Sequence, residues 1–143
     1  MQKSPHGSDA APLLPWMRFV LRFAGMFNLL AGGCMILFYH EGYEMVGVPK
    51  PELVLPVQIM GILVALFGVG YHWVASRPVQ NRDLLMLGLL SKAISAVAAL
   101  LYIAAGRLPA HFAVTVFFAD VIYVPLFWII WLRLRRFSVD SPG

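Results

Sequence analysis

Charge is scarce in this chain: Asp, Glu, Lys and Arg make up only 13% of its 143 residues, about half the usual share in soluble proteins. A water-soluble core of this size needs a larger charged surface, so the composition argues against a globule in water. Cysteine is rarer still. Cys34 stands alone, which excludes an intrachain disulfide and leaves the redox compartment open. No Gly-rich phosphate loop, nucleophile elbow, C-x-x-C or H-E-x-x-H occurs, so no nucleotide, haem or zinc enzyme of a known motif class is indicated. No cofactor is expected. Period-two alternation is also missing, which argues against barrel strands.

What the chain has is apolar length. Hydrophobic residues reach 60% and the mean hydropathy is +0.77. Four runs of about 22 residues would each cross about 33 Å as helices, enough for a bilayer core. The predicted helices cover about 15–39, 53–75, 84–105 and 111–132. Residues 1–14 read as a disordered polar tail and 133–143 as a basic C-terminal tail. The expected fold is an all-α, four-helix transmembrane bundle, antiparallel and up-down. A soluble catalytic domain does not fit in what remains.

The net charge of +4 is explained by its distribution. Lys3, Arg18, Arg22, Arg77, Arg82, Arg133, Arg135 and Arg136 fall on the N-terminal segment, second loop and C-terminal tail, while the first and third loops carry only Lys50 and Arg107. The positive-inside rule puts both termini in the cytoplasm, in the inner (plasma) membrane. Trp16, Trp73, Trp128 and Trp131 fall towards the same face, and Tyr39, Tyr43 and Tyr102 towards the other. Anionic lipid accounts for the basic tail without nucleic acid. A cleaved signal peptide is a poor fit to the first span, which is too long for an h-region and lacks an A-x-A site.

Helix association in lipid rests on close packing and buried polar contacts. Ala24, Asn28 and Gly32, then Gly61, Ala65 and Gly68, then Ser91, Ser95 and Ala99 form small-residue stripes expected to mark where helices touch. Pro125 removes the helical donor to the Val121 carbonyl, so a kink beside Asp120 is expected.

Lys92 and Asp120 are ionisable residues inside apolar spans, where a charge costs roughly 2.5–3.5 kcal/mol on insertion scales. Measured from the cytoplasmic ends, Lys92 lies about 12 Å deep, and Asp120 and Asn28 about 18 Å. An extended lysine bridges the difference. The expectation is an ion pair between the third and fourth spans, supported by Asn28, Ser95 and Tyr123, that fixes helix register. Competing readings are a proton- or ion-coupled path, a counter-charge for a head group or substrate, and a Lys92 that snorkels away from Asp120. Gln58 reads as interhelical glue or a substrate contact. Tyr71 and His72 read as belt anchors, His72 alternatively as a proton carrier. On the outer rim, His40 and Glu44 share a face if the helix continues, and with His111 they form a weak candidate for a divalent metal site if the two outer loops meet; a solvated polar rim is the alternative.

The run Asn28-Leu29, Gln58-x-x-Gly61, Gly68-x-Gly70-Tyr71, Gly88-Leu89-x-x-Lys92, Gly106-x-Leu108-Pro109 and Asp120-x-x-Tyr123 resembles a family of small bacterial four-span membrane proteins, over about residues 18–132. The family has no established activity and looks distantly like DoxX-type four-helix membrane proteins, some of which are linked to quinol oxidase or thiol redox systems. The resemblance implies that Gln58, Lys92 and Asp120 are the positions to test first. The function expected is a small non-enzymatic integral membrane protein, an accessory or structural subunit whose partners are the bilayer and other membrane subunits or itself. The alternatives are a small ion- or proton-coupled transporter built on Lys92 and Asp120, and a membrane redox or lipid-modifying protein with a quinone or lipid substrate.

Overall fold

The computed structural model describes residues 11–137, and among these every regular element is helical. Helix α1 (Pro15–Leu37) opens on a proline at its first position, where the missing N–H costs nothing. Helix α2 (Tyr39–Val46) follows after a break at Phe38 and stops at Gly47, whose φ of 70° closes the C-terminus in the left-handed region. Helix α3 (Leu55–Ser76) again has proline in its first turn. Helix α4 (Arg82–Ala104) is followed by Gly106 at φ 68°. The fourth span runs as α5 (Phe112–Val116), a π-helical turn (Phe117–Val121) and α6 (Tyr123–Leu134). The spans begin and end within two residues of the expected positions. Helix α2 was not expected as a separate element; it carries the first part of the first loop and places His40 and Glu44 one turn apart, at 3.2 Å.

Four helical segments are long and apolar enough to cross a membrane: Pro15–Leu37, Leu55–Ser76, Arg82–Ala104 and Phe112–Leu134. Only 22–33% of their most apolar stretches is buried inside the molecule. The outward faces carry Phe19, Phe23, Leu30, Leu66, Ile94, Leu101 and Phe118, all exposed. So much contiguous apolar surface is foreign to soluble monomers and suits hydrocarbon. The chain therefore reads as a multi-pass membrane protein.

The tightest seam joins α1 to α3. A Cβ added to Gly25 would lie 2.9 Å from the Gly68 carbonyl oxygen, and one added to Gly68 would lie 2.7 Å from that of Gly25. Gly32 and Gly61 stand in the same reciprocal relation, with a Cβ on Gly61 reaching 2.8 Å from the Gly32 oxygen. Residue numbers thus run in opposite senses along the seam. The glycines let the two backbones touch, which is the packing that lipid-embedded helices depend on. Two of the three expected stripes lie here. The third does not: Ser91 and Ser95 are exposed, and Ser95 Oγ donates to the Ser91 carbonyl at 2.6 Å within its own helix. The buried face of α4 is instead Leu85, Gly88, Leu89, Lys92 and Ala96.

The main core lies at the end where the described chain begins and finishes. Leu13, Met17, Leu21, Val74, Leu85, Ile130 and Leu134 fill it. Arg133 pins the approach to α1, donating from Nε to the Pro12 carbonyl and from Nη2 to that of Ala11, both at 3.0 Å. Arg82 Nη1 donates to the Phe137 carbonyl at 3.1 Å. Leu13 is buried, so residues 11–14 are docked against the bundle and are not the free tail expected of them; residues 1–10 and 138–143 lie outside the described residues.

Gly32→Ala should lower stability in detergent by about 1–3 kcal/mol through overpacking. Gly33→Ala, one residue away, has nothing within 4 Å of the new methyl and should raise it by about 0.5–1 kcal/mol through helix propensity. Thermal unfolding of the two variants in one detergent checks the contrast; equal shifts would contradict the seam.

Candidate functional site

The fourth span widens where Asp120 sits. Ile122 N–H donates to the Phe117 carbonyl, five residues back, at 3.1 Å. Four residues beyond the end of the wide turn, Pro125 offers no N–H to Val121, and its ring crowds that carbonyl. A kink was expected beside Asp120; the backbone there forms a π turn, which that expectation did not name and which concentrates at functional positions.

Lys92 reaches across from α4 to the turn. Its Nζ donates to the Ala119 carbonyl at 2.7 Å and to Asp120 Oδ1 at 3.2 Å, and it lies 4.9 Å from the centre of the Tyr123 ring. A carbonyl, a carboxylate and an aromatic face together occupy the ammonium. Lys92 is only 6% exposed, so it does not snorkel to the surface. The Asp120 side chain is 24% exposed, and no other hydrogen bond to its carboxylate is formed among the described residues. The pair is asymmetric: a closed cation and a carboxylate with accepting capacity to spare.

The supporting cast differs from expectation. Tyr123 contributes its ring face to the ammonium. Ser95 bonds to the carbonyls of Ser91 and Lys92 on its own helix, because an isolated serine on an outward face satisfies itself there. Asn28 is buried on the α1 face that carries Gly25 and Gly32, and no side-chain hydrogen bond takes it to Lys92 or Asp120 among the described residues. Gln58 Nε2 donates to the Ile36 carbonyl at 3.4 Å, a long bond that ties α3 to the end of α1 as interhelical glue would.

Tyr71 is the residue that sequence reasoning misplaced. It is 1% exposed, not a belt anchor. Its ring meets Phe127 edge-on at 4.9 Å, and a Cβ on Gly88 would fall 2.6 Å from its hydroxyl oxygen. Gly88 makes the room; it stands four residues before Lys92 on the same face of α4, and that spacing was the available signal. His72 is half-buried beside Gly25 and takes no part in the pair.

At the end of the bundle away from Leu13 and Leu134 the two loops do meet: the His111 Nε2 lies 3.1 Å from the Val46 carbonyl oxygen. The metal trio is nevertheless not assembled. His40 is engaged by Glu44 and by Lys50, whose ammonium takes the other ring nitrogen. No group of three His, Cys, Asp or Glu side chains suited to a metal ion occurs among the described residues. The arrangement is a polar rim held by local pairs.

Compared with protein-family models, curated proteins and solved structures, the chain matches none of them.

Lys92→Met leaves the Asp120 carboxylate and the Ala119 carbonyl without their donor. It should cost about 3–5 kcal/mol, towards the lower figure because Asp120 is partly exposed. The double variant Lys92→Met with Asp120→Leu should recover most of that loss. Thermal unfolding of the single and double variants gives the coupling; additive losses would mean that the two side chains act independently.

Proposed function

We propose that this chain is a non-enzymatic integral membrane protein of the inner (plasma) membrane, an accessory or structural subunit. In this reading the bundle is antiparallel and up-down, with both termini in the cytoplasm. One observation carries it: the buried Lys92 ammonium donates to a carbonyl and a carboxylate of its own chain and lies against an aromatic face. A group so placed suits a lock between α4 and the fourth span better than a donor for catalysis or transport. The hollows on the bundle surface agree, being lined by aliphatic and aromatic side chains.

Orientation is supported by the arginines. Arg82 and Arg133 are bound at the end where the described chain begins and finishes, and that end carries the positive excess. A partner is supported by the outward face of α4. Ser91, Ser95 and Ala98 are exposed there, and small residues let another membrane helix approach closely. That helix would come from a different subunit or a second copy. The family reading, a small bacterial four-span protein distantly DoxX-like in architecture, rests on the motif run alone and is part of this proposal.

A second reading has one observation in its favour. Asp120 is partly exposed, sits in a π turn and keeps accepting capacity, as an ion-coupled carrier would require. The two readings differ in water access. In a Cys34→Ala background, Ala96→Cys lies buried one turn from Lys92. In native membranes it should resist an impermeant maleimide that labels Arg107→Cys from outside, and Arg77→Cys should label only after the membrane is opened. Rapid labelling at position 96 would favour the carrier. Labelling of position 77 from outside would reverse the orientation.

A further inference from the structure

Helix α2 contributes no buried residue to the bundle, so side-chain ties weigh more in placing it. Among the described residues, two side-chain hydrogen bonds join α2 to other parts of the chain, and each runs through a histidine. His40, in the first turn of α2, meets the Lys50 ammonium through Nδ1, and Lys50 lies on the leader (residues 47–54) to α3. At the other end of α2, the Val46 carbonyl meets His111 Nε2 at 3.1 Å, and His111 stands immediately before α5 of the fourth span.

The partners fix the protons. An ammonium only donates, so His40 Nδ1 accepts, and the ring is neutral with its proton on Nε2. That proton faces Glu44 Oε1 at 3.2 Å. A carbonyl only accepts, so His111 Nε2 donates, which a neutral or a charged imidazole can do. Histidine is the side chain that changes charge between pH 8 and pH 5, and the two ties respond to that change differently. A second proton on His40 occupies Nδ1, removes the acceptor that Lys50 uses and sets two cations side by side, while Glu44 keeps its donor. A proton on His111 strengthens the bond to Val46, because a charged donor then faces the C-terminal carbonyls of α2. Glu44 from α2 and Lys50 from the leader are the charged groups bonded to His40, and no charged side chain is bonded to His111, among the described residues. The other charges at this end are Glu41 on α2, Glu52 on the leader and Arg107 in the third loop.

We propose that α2 is a pH-sensitive clasp. At pH 8, His40 holds it to the leader of α3 through Lys50. On acidification His40 lets the leader go, while His111 keeps α2 on the fourth span. The tie to the leader is thus present while His40 is neutral and is lost as the pH falls. The inference holds for whichever side of the membrane this end faces, and it is independent of the accessory role.

Spin-label distance measurements by electron paramagnetic resonance test it, on the full chain in detergent micelles and in a Cys34→Ala background. Nitroxides at Met45→Cys and Leu53→Cys, both exposed positions, report on α2 and the leader. A second pair, at Met45→Cys and Ala110→Cys, reports on α2 and the fourth span. Between pH 8 and pH 5 the first pair should lose its short-distance population, with a midpoint between those values, and the second pair should hold. His40→Gln supplies an acceptor and a donor but takes up no proton, so it should keep the short distance at both pH values. His40→Arg, charged throughout, should lack the short distance at both. Glu44→Gln should leave the transition in place, since the carboxylate is not the group that titrates. The proposal is overturned if the first distance is the same at pH 8 and pH 5, if His40→Gln shows the same transition, if His40→Arg is short at pH 8, if Glu44→Gln abolishes the transition, or if the second pair separates together with the first.

Discussion

The Lys92 ammonium is almost wholly buried, and the acceptors that it finds in the fourth span tie α4 to that span. The nearest acceptors are a carbonyl and a carboxylate in the π turn, with an aromatic face beside them. Each belongs to the stretch from Ala119 to Tyr123. In the proposed reading the pair sets the register of the two helices, since moving α4 along the fourth span by one turn would strand the charge. The wide turn Phe117–Val121 holds both acceptors, and Pro125 follows it in α6.

The rest of the bundle is held by contacts of a different kind. Along α1 and α3 there is little polar chemistry, and the attraction comes from backbones brought together by reciprocal glycines. Tyr71 joins the two halves. It leaves α3, presses its phenol into the space above Gly88 and stacks edge-on against Phe127. At the end where the described chain begins and finishes, Arg133 and Arg82 tie the chain ends and the α3–α4 turn with main-chain hydrogen bonds. The packing is uneven as a result: dense at that end and along the glycine seam, and open between α1 and α6.

Much of this was legible in the sequence, and the reasons are physical. Long apolar runs bounded by Pro, Gly and charge fix the spans to within two residues, because a helix in hydrocarbon has few other ways to satisfy its backbone. Gly68 was visible in a stripe with Gly61 and Ala65, and Gly32 in one with Ala24 and Asn28, whereas Gly25, one residue from Ala24, was not singled out. The Lys92 to Asp120 contact followed from depth alone. What stayed hidden depends on rotation about a helix axis. The spacing of Ser91 and Ser95 is as regular as that of Gly61 and Gly68, but serines can bond to their own helix and face outward. Tyr71 stands beside His72 and Trp73 at a span end and so resembles a belt residue; only the gap at Gly88 reveals it as core. The Ala119 carbonyl could not be foreseen, since a backbone acceptor leaves no mark in the residue types.

The account depends first on hydrocarbon surrounding the four spans. Alkaline extraction of native membranes, followed by transfer of the protein into detergent-free buffer, tests this most directly. The protein should stay in the membrane pellet through the alkaline wash and remain folded and monodisperse only in detergent or a bilayer. A folded, monodisperse monomer recovered from detergent-free buffer would contradict the account.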